Sequence, residues 1–565
     1  KTILNGVTGV FNPGRLTVIL GSSGAGKTSL LNVLAGESTT NAGRLTGELL
    51  VNGQQTTGHE IRKMAGYVYQ DDIIYHTMTV REAIMLSAQL RVSRDVSNDA
   101  KRERVEDLLT LLHLTKAADT LIGNERIKGV SGGERKRASI AMELVSNPSI
   151  LFLDEPTSGL DSFTALMVVR ILKELAQAGH TVVATLHQPS SDIFHLIDDL
   201  MLMAEGRVLY MGEAEKSIDY FARYGYRCPQ YSNPADFFFM SIFHKVDATD
   251  AAGIPLNNNA SSASLLDEWL ASAEGIALRQ AADAPHGGGY SDSNRKYRSN
   301  FREQFPLILK RAARNVLRDK MVLGAKLGQT LVFAVIFDVI YWQIPNRAQT
   351  SQVQDRSGVL FFYAANLVMS NAMAVLTVFS MERSTFAREN HSGLYGLPAF
   401  FFSKLAVEVP IYVLTPTLLV CATYWAIGLH HDVGRFFIAC LTAVLLSGAG
   451  MSIGVAAASF FSELSVALAV VPTLILPMMI FGGLFANVAT LPVWIRWFKW
   501  LSLMKYGFVA LAKNEFHGLT IGCGDDVPAE ACRPLDGHTV IANLGIEDQG
   551  SVWVNIAALA AWWIG

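Results

Sequence analysis

The chain is poor in charge and in cysteine for its length. Only 17% of its 565 residues are charged and half are apolar, which is a low share of charge for a soluble protein of this size. Five cysteines are too few for a disulfide scaffold. The formal net charge of −3 implies no affinity for nucleic acid. These shortages argue against a disulfide-stapled domain and against a nucleic-acid-binding protein.

The charge is distributed unevenly along the chain. The first 320 residues are ordinarily charged, whereas the remainder contains long apolar runs. A run of roughly 20 residues can cross the hydrocarbon core of a bilayer. Six runs are predicted to span, the last of them cut short at the end of the chain: Met321–Trp342, Gly358–Phe379, Phe400–Ile427, Phe436–Phe460, Ser465–Leu484 and Ser551 onward. The sequence therefore predicts a soluble domain followed by a membrane domain.

A phosphate-binding loop is predicted near the start of the chain, because Gly21–Thr28 fits the pattern G-x-x-x-x-G-K-[ST]. An apolar strand pattern precedes it and a helix-like segment follows, so a simple glycine-rich turn is disfavoured. Backbone N–H groups and the helix N-terminus would hold phosphate oxygens. Lys27 would reach the β- and γ-phosphates, and the Thr28 hydroxyl would bind Mg²⁺. The predicted ATP-binding residues are Gly21, Ser22, Ser23, Gly24, Ala25, Gly26, Lys27, Thr28 and Ser29.

Acidic and polar residues follow three further strand-like runs. Asp154 and Glu155 end a buried strand pattern, where Asp154 suits Mg²⁺ through water and Glu155 suits a general base for the attacking water. Gln70 follows a short strand and could meet Mg²⁺ or that water. His187 ends another strand and could contact the γ-phosphate. A lone strand-end Gln or His is usually structural, but the order of these residues after a phosphate-binding loop favours function.

The segment Ser131–Arg135 heads a predicted helix. A serine and two glycines at a helix start form an anion-binding site by the same N–H and dipole logic. The alternative is an ordinary capping box between Ser131 and Glu134. Both interpretations are compatible, because a capped helix start can also bind a phosphate. Asp161 lies in the turn that follows Glu155.

Taken in order, these motifs resemble those of an ABC-transporter nucleotide-binding domain. The correspondence comprises Walker A at Gly21–Thr28, the Q-loop at Gln70, the signature Val130–Glu134, Walker B ending at Asp154–Glu155, the D-loop through Asp161 and the H-loop at His187. The sequences of Gly132–Arg137 and Asn233–Phe237 are similar to those of the G subfamily. That subfamily includes the White eye-pigment half-transporters, the sterol exporters and the breast cancer resistance protein. The resemblance extends over nearly the whole chain.

The resemblance implies the fold class, which is an α/β P-loop ABC nucleotide-binding domain followed by an all-α six-helix transmembrane domain of the type II exporter kind. We expect the nucleotide-binding domain over residues 1–243 and the transmembrane domain over 321–565, with an outside loop at 486–550. Polar, small residues predict a flexible linker over 244–300 that contains a short helix near Leu265–Leu278. The basic, amphipathic segment 301–320 is predicted to be a connecting helix at the membrane surface.

The family also implies a dimer, because two nucleotide-binding domains close head to tail around ATP and Mg²⁺. The residues expected to complete the ATP site of the partner chain are Ser131, Gly132, Gly133, Glu134 and Asp161. The partner would be a second half-transporter, in a homodimer or a heterodimer. The nucleotide-binding domain is expected in the cytosol, and the spans in the plasma membrane or an organelle membrane.

Three groups of residues in the membrane half are predicted to form a substrate cavity, an outer plug and a disulfide. By resemblance, Asn366, Met369, Leu476 and Met479 would line the substrate cavity, although Met369 replaces an aromatic residue and disfavours stacking of planar drugs. Leu484 and Phe485 would form an outer apolar plug where a drug-exporting relative has two leucines. Cys523 and Cys532 would form a disulfide in the outside loop, where oxidation is permitted.

The leading functional hypothesis is ATP-driven export of a hydrophobic or amphipathic molecule, such as a lipid, a sterol, a pigment precursor or a xenobiotic. A soluble ABC ATPase that remodels other proteins is disfavoured by the six apolar runs. An ATP-gated channel or membrane regulator stays open as the alternative.

Overall fold

The computed structural model describes residues 2–37, 44–124, 127–243, 262–283, 299–485, 492–523 and 534–564. The chain divides into two compact units. The first contains Lys1–Gln304 and Glu389–Gly396, and the second contains Phe305–Arg388 and Leu397–Gly565. Each unit has an apolar core of its own.

The first unit is built around a six-stranded sheet with the order β4-β5-β6-β1-β7-β8, in which only the β7–β8 pair is antiparallel. A separate antiparallel pair is formed by β2 and β3. Because parallel strands are covered on both faces, their sequences are continuous apolar runs. The strands of this unit are β1 Leu16–Gly21, β2 Leu50–Val51, β3 Gln54–Gln55, β4 Ala65–Val68, β5 Ile150–Leu153, β6 Thr181–Thr185, β7 Asp199–Ala204 and β8 Arg207–Glu213.

The helices of the first unit begin with well-formed caps at several places, including capping boxes at Thr57, Thr79 and Ser131. A π-helix, Phe239–Phe243, follows the ninth helix. The α-helices are α1 Lys27–Leu34, α2 Gly58–Met64, α3 Val80–Arg91, α4 Asn98–Leu111, α5 Gly132–Leu144, α6 Ser162–Gln177, α7 Ser191–Phe194, α8 Lys216–Arg223, α9 Pro234–Phe238, α10 Ser262–Ala271 and α11 Ala273–Asp283.

The predicted flexible linker over 244–300 contains more structure than its composition suggested. Residues 244–261 and 284–298 lie outside the described residues, whereas α10 and α11 between them are helical. Trp269 of α10 is only 3% exposed, and its ring centroid lies 5.6 Å from that of Tyr210 and 5.8 Å from that of Tyr220. This part of the predicted linker therefore packs into the core of the first unit, because a buried tryptophan anchors it.

In its described residues the second unit is mainly helical, with one short antiparallel pair, β9 Thr520–Ile521 and β10 Leu535–Asp536. The connecting helix α12 begins in the first unit and continues into the second. The helices are α12 Phe301–Arg318, α13 Lys320–Tyr341, α14 Gln349–His391, α15 Leu397–Ile427, α16 Val433–Phe460, α17 Leu464–Ile480, α18 Val493–Arg496, α19 Leu503–Phe516, α20 Gly537–Asn543 and α21 Val552–Ile564.

Among the residues that the structure describes, four helices, α13 to α16, are long and apolar enough to cross a membrane. Two further apolar helices, α17 and α21, have 17 and 13 residues and are shorter than a typical span. The fifth predicted span was expected to reach Leu484, but α17 ends at Ile480. The chain turns there because Gly483 adopts a φ of 99°, which favours glycine.

Small residues bring α16 and α14 close together within the second unit. A Cβ atom on Gly450 would lie 2.7 Å from the carbonyl oxygen of Val368, and one on Gly454 would lie 2.5 Å from that of Ala372. Close approach at small residues is the usual way in which helices associate in a membrane. These glycines therefore fix the packing of two helices predicted to span the bilayer.

Candidate nucleotide-binding site

The phosphate-binding loop connects β1 to α1 in the geometry that the motif predicted. Gly24 and Gly26 have φ angles of 81° and 95°, which a residue with a side chain rarely adopts. The Lys27 ammonium donates hydrogen bonds to the carbonyl oxygens of Gly21, at 2.8 Å, and Ser22, at 3.0 Å. These bonds hold the cation inside the curve of the loop, where phosphate oxygens would bind.

Lys27 is only 7% exposed, and this burial lowers the pKa of its ammonium. The carboxylates of Glu155 and Asp154 act in the opposite direction and favour the charged form. The three side chains thus form one electrostatic unit, although Lys27 lies more than 120 residues before the two carboxylates in the chain.

One hydrogen bond joins the phosphate-binding loop to the end of β5, and a second joins the ends of β4 and β5. The Thr28 hydroxyl donates to Oδ1 of Asp154 at 3.2 Å, and the Gln70 amide nitrogen donates to Oε2 of Glu155 at 2.8 Å. Asp154 is 4% exposed, whereas Gln70 is exposed. Because β1, β4 and β5 are parallel strands of one sheet, these residues meet at its carboxyl edge, which is where α/β sheets bind ligands.

His187 follows the end of β6 and is exposed. Its ring centroid lies 5.9 Å from that of Phe239 at an angle of 35°. The next residue, Gln188, has a φ of 43°, so the chain turns sharply after the histidine. A contact of His187 with the γ-phosphate stays a prediction.

The signature segment is a capping box, as one of the two interpretations predicted. The Ser131 hydroxyl accepts from the backbone N–H of Glu134 at 3.3 Å, and the Glu134 carboxylate accepts from that of Ser131 at 2.8 Å. A Cβ atom on Gly133 would lie 2.1 Å from Cγ2 of Thr164, so a glycine is required where α5 meets α6. The start of α5 therefore lies directly against the start of α6.

Asp161 caps α6 at this junction. Its carboxylate accepts from the backbone N–H of Thr164 at 3.0 Å and from the Thr164 hydroxyl at 2.7 Å. Both hydrogen bonds favour the ionised form and lower the pKa of Asp161. The D-loop aspartate and the signature serine are thus held on adjacent helix starts.

Lys136 links the signature helix to the Q-loop, a role that the sequence did not reveal. Its ammonium donates to the carbonyl oxygen of Gln70 at 2.8 Å and lies 3.0 Å from a carboxylate oxygen of Asp72. Lys136 is 2% exposed. The only sequence signal was a lysine at a helix position that would otherwise be expected to be apolar.

A second polar cluster lies within the first unit. It contains Glu37, which follows α1, Tyr69, which follows β4, and His391 of the segment Glu389–Gly396. The Tyr69 hydroxyl donates to Oε2 of Glu37 at 2.8 Å, and Nε2 of His391 lies 3.1 Å from the same oxygen. Nη1 of Arg62 lies 3.3 Å from Nε2 of His391. Burial and the Glu37 carboxylate raise the pKa of Tyr69, so its hydroxyl keeps the proton that it donates.

The predicted cavity and plug residues all lie in the second unit. Asn366 and Met369 are half-buried on α14, and Met479 is half-buried on α17, whereas Leu476 is 57% exposed. In the predicted plug, Leu484 is half-buried and Phe485 is 65% exposed. The Phe485 ring meets the Phe361 ring edge to face, with centroids 5.0 Å apart. Their roles in transport stay predictions.

The cysteines divide into two groups. Cys228, Cys421 and Cys440 are free thiols. Cys523 is the last described residue before a gap, and Cys532 lies outside the described residues. The Cys523–Cys532 disulfide therefore stays a prediction.

The first unit combines a phosphate-binding loop with a carboxylate pair at a neighbouring strand end and a capped signature helix. The second unit contains long apolar helices. Together these features define an ABC-type ATPase joined to a membrane domain. Comparison with protein families agrees with this class. An ABC transporter model matches residues 4–158, and two ABC-2 type transporter models match residues 303–516 and 187–260.

Individual relatives narrow the class. The pig protein named broad substrate specificity ATP-binding cassette transporter ABCG2 is 35% identical over 99% of this chain and 88% of its own length. The Caenorhabditis elegans ABC transporter ATP-binding protein/permease wht-1 is 35% identical over 100% of this chain and 86% of its own. Drosophila melanogaster protein white is 34% identical over 96% and 79%. The chain belongs to the G subfamily of ABC transporters, and it is an integral membrane ATP hydrolase whose activity is coupled to transport.

Proposed function

We propose that this chain is a half-transporter that uses ATP to export a hydrophobic or amphipathic molecule and works as a dimer. One observation carries the proposal. The segment Glu389–Gly396, which contains the end of α14 and the connection to α15, packs in the same unit as the ATP site, and its His391 contacts Glu37, which follows α1. A movement of the nucleotide-binding residues therefore has a direct covalent route to the membrane helices.

The side chains around the phosphate-binding loop suit Mg²⁺. Thr28, Asp154 and Gln70 supply hydroxyl, carboxylate and amide oxygens, which are the hard ligands that Mg²⁺ prefers together with the phosphates of a nucleotide. The Thr28–Asp154 hydrogen bond supports this assignment, because it already brings two of the three ligands together. Mg²⁺ bound with ATP would neutralise charge that develops on the phosphates.

In the proposed hydrolysis, Glu155 accepts a proton from the attacking water while Lys27 holds the phosphates. Gln70 orients the Glu155 carboxylate through the 2.8 Å hydrogen bond already present. His187 would contact the γ-phosphate from the end of β6.

The proposed dimer completes each ATP site with the signature residues of the partner chain. Ser131 and Gly132 are exposed at the N-terminus of α5, where backbone N–H groups can donate hydrogen bonds to a phosphate. Gly133, Glu134 and Asp161 hold this helix start in place. Since one chain carries both halves of the machinery, a homodimer is sufficient, and a second half-transporter could also take the partner's place.

The substrate is proposed from chemistry alone. The proposed cavity offers one amide and three apolar side chains, from Asn366, Met369, Leu476 and Met479. This chemistry suits a lipid, a sterol, a pigment precursor or a xenobiotic.

We propose that the chain crosses the plasma membrane or an organelle membrane six times. The ATP site then lies in the cytosol and residues 486–550 lie outside. The basic helix α12 supports this orientation, because cationic residues flank spans on the cytosolic side.

The test measures ATP hydrolysis by the purified chain in nanodiscs across a panel of lipids, sterols and drugs. We expect at least one class to stimulate hydrolysis, and Glu155→Gln to remove that stimulation. Uptake of the same compound into inside-out vesicles then separates the two functional hypotheses. Accumulation against a gradient supports an exporter, whereas flux that only dissipates a gradient would instead support an ATP-gated channel.

A further inference from the structure

The end of β6 carries a buried hydroxyl that the hydrolytic machinery described above does not include. Thr185 is 1% exposed and is the last residue of β6. In the sheet it pairs with Ile19 of β1, and the residue before it pairs with Leu153 of β5. Thr185 therefore lies between the strand that leads into the phosphate-binding loop and the strand that ends in Asp154.

The Thr185 hydroxyl makes two hydrogen bonds, one as a donor and one as an acceptor. It donates to Oδ1 of Asp154 at 2.7 Å, and it accepts from the backbone N–H of Glu155 at 2.8 Å. A hydroxyl is one of the few side-chain groups that can do both. One atom of Thr185 thus contacts both of the acidic residues assigned to metal binding and to general-base catalysis.

The bond to Asp154 fixes an oxygen that the phosphate-binding loop also uses. Oδ1 of Asp154 accepts from the Thr28 hydroxyl at 3.2 Å as well as from Thr185. The Thr185 bond comes from the interior of the sheet and does not depend on the loop. It can therefore keep the carboxylate in place when the Thr28 hydroxyl turns to a metal ion.

The bond to Glu155 supports an unusual backbone conformation. Glu155 has a φ of 43°, in the left-handed region that residues with a side chain adopt only when neighbouring contacts enforce it. Its N–H is held by Thr185 and its carboxylate by Gln70. The general base is thus fixed at two points, one on the backbone and one on the side chain.

We propose that Thr185 is a positioning residue for ATP hydrolysis: its single hydroxyl orients the Asp154 carboxylate and holds the backbone of Glu155 in the conformation that aims the base at the site. This role requires no contact of Thr185 with the nucleotide or the attacking water. The part of the proposal that concerns Asp154 rests on the proposed role of that residue in binding Mg²⁺.

The chain offers a matched control in the adjacent strand. Thr17 of β1 is 0% exposed, and its hydroxyl has no hydrogen-bond partner among the described residues. Thr17→Val and Thr185→Val make the same isosteric change in one sheet. Only Thr185→Val removes a hydroxyl that is hydrogen-bonded to Asp154 and Glu155.

The experiment compares Thr185→Val, Thr185→Ser and Thr17→Val in the full chain in nanodiscs. We expect Thr185→Val to lower kcat about 10- to 100-fold, the usual effect of removing a group that orients a metal ligand. The Mg²⁺ concentration that gives half-maximal binding of a fluorescent ATP analogue should rise, while binding without Mg²⁺ stays unchanged. Thr185→Ser should restore both values, and Thr17→Val should alter neither.

Several results would overturn the proposal. The first is a Thr185→Val protein with the kcat and Mg²⁺ dependence of Thr17→Val. The second is a loss of binding without Mg²⁺ together with a lower unfolding temperature, which would mean that the hydroxyl serves folding only. The third is a failure of Thr185→Ser to restore kcat. An Asp154→Asn protein with normal Mg²⁺ dependence would instead refute the proposed metal role of Asp154, so the two failures are distinguishable.

Discussion

The amide nitrogen of Gln70 donates a 2.8 Å hydrogen bond to the Glu155 carboxylate, across 85 residues of sequence. Gln70 follows β4 and Glu155 follows β5, which are neighbouring parallel strands. The bond joins the Q-loop directly to the proposed general base. A change at Gln70 therefore acts directly on the carboxylate that is proposed to activate water.

The first prediction concerns Glu155→Gln, which keeps the shape of the side chain and removes its basicity. We expect ATP binding to persist and turnover to fall by about 10²- to 10⁴-fold, the usual contribution of a positioned general base. Nucleotide binding and phosphate release by the purified protein provide the measurement. Lys27→Ala is the contrasting variant, since it should weaken binding itself. Hydrolysis by Glu155→Gln at the wild-type rate would refute the assignment.

The sequence predicted the parts of the site that lie in contiguous motifs. The phosphate-binding loop, the strand-end pair Asp154–Glu155 and the capping box at Ser131 each depend on residues within a few positions of one another. Such short-range patterns carry their own geometry, because a strand, a turn and a helix start are local structures.

The sequence did not predict contacts that depend on how distant segments pack. Thr185 looked like one more residue of an apolar strand, and only the β5–β6 pairing brings it to Asp154. The contact between Glu37 and His391 joins residues more than 350 positions apart. A helix was predicted inside the linker, but its packing against the first unit was not, since the linker is polar in composition while Trp269 is buried in the core.

The second prediction concerns the link between ATP hydrolysis and the membrane helices. Tyr69→Phe removes the 2.8 Å hydrogen bond to Glu37 but keeps the ring. We expect basal ATP hydrolysis to persist and stimulation by substrate to weaken, because a single hydrogen bond contributes about 1 kcal/mol, or roughly a fivefold change in coupling.

The measurement is the ratio of stimulated to basal hydrolysis in nanodiscs. Tyr210→Phe is a matched control, because it also removes one 2.8 Å hydrogen bond of a tyrosine hydroxyl in the first unit, the bond to the carbonyl oxygen of Glu213. A Tyr69→Phe protein with wild-type stimulation would show that this cluster does not transmit substrate binding to the ATP site.

The third prediction is a disulfide between Cys523 and Cys532. In a loop outside the cell or in an organelle lumen the pair can oxidise, and closing so short a loop would stabilise the fold by roughly 2–3 kcal/mol in the chain-entropy model. Peptide mapping without reduction should recover the two cysteines in one linked species, while Cys228, Cys421 and Cys440 react with an alkylating reagent after unfolding. Alkylation of Cys523 before reduction would contradict the pairing.

The fourth prediction is that Leu484 and Phe485 close the path between the substrate cavity and the outside. They follow the turn at Gly483 that ends α17, and Phe485 leaves 65% of its surface exposed while its ring rests against Phe361. An exposed aromatic side chain held at one edge can meet its copy in the proposed dimer. Four apolar side chains on the dimer axis would exclude water and prevent substrate from diffusing back.

The double variant Leu484→Ala with Phe485→Ala tests this seal. We expect basal ATP hydrolysis to rise or preloaded substrate to leak from vesicles, because both large apolar groups are removed from the axis. Leu474→Ala is the control, since Leu474 is an exposed leucine on the preceding helix α17 and lies outside the pair. Gel filtration must first confirm that the double variant is folded and dimeric. If that protein then hydrolyses ATP and retains substrate as the wild type does, Leu484 and Phe485 only pack the end of a helix.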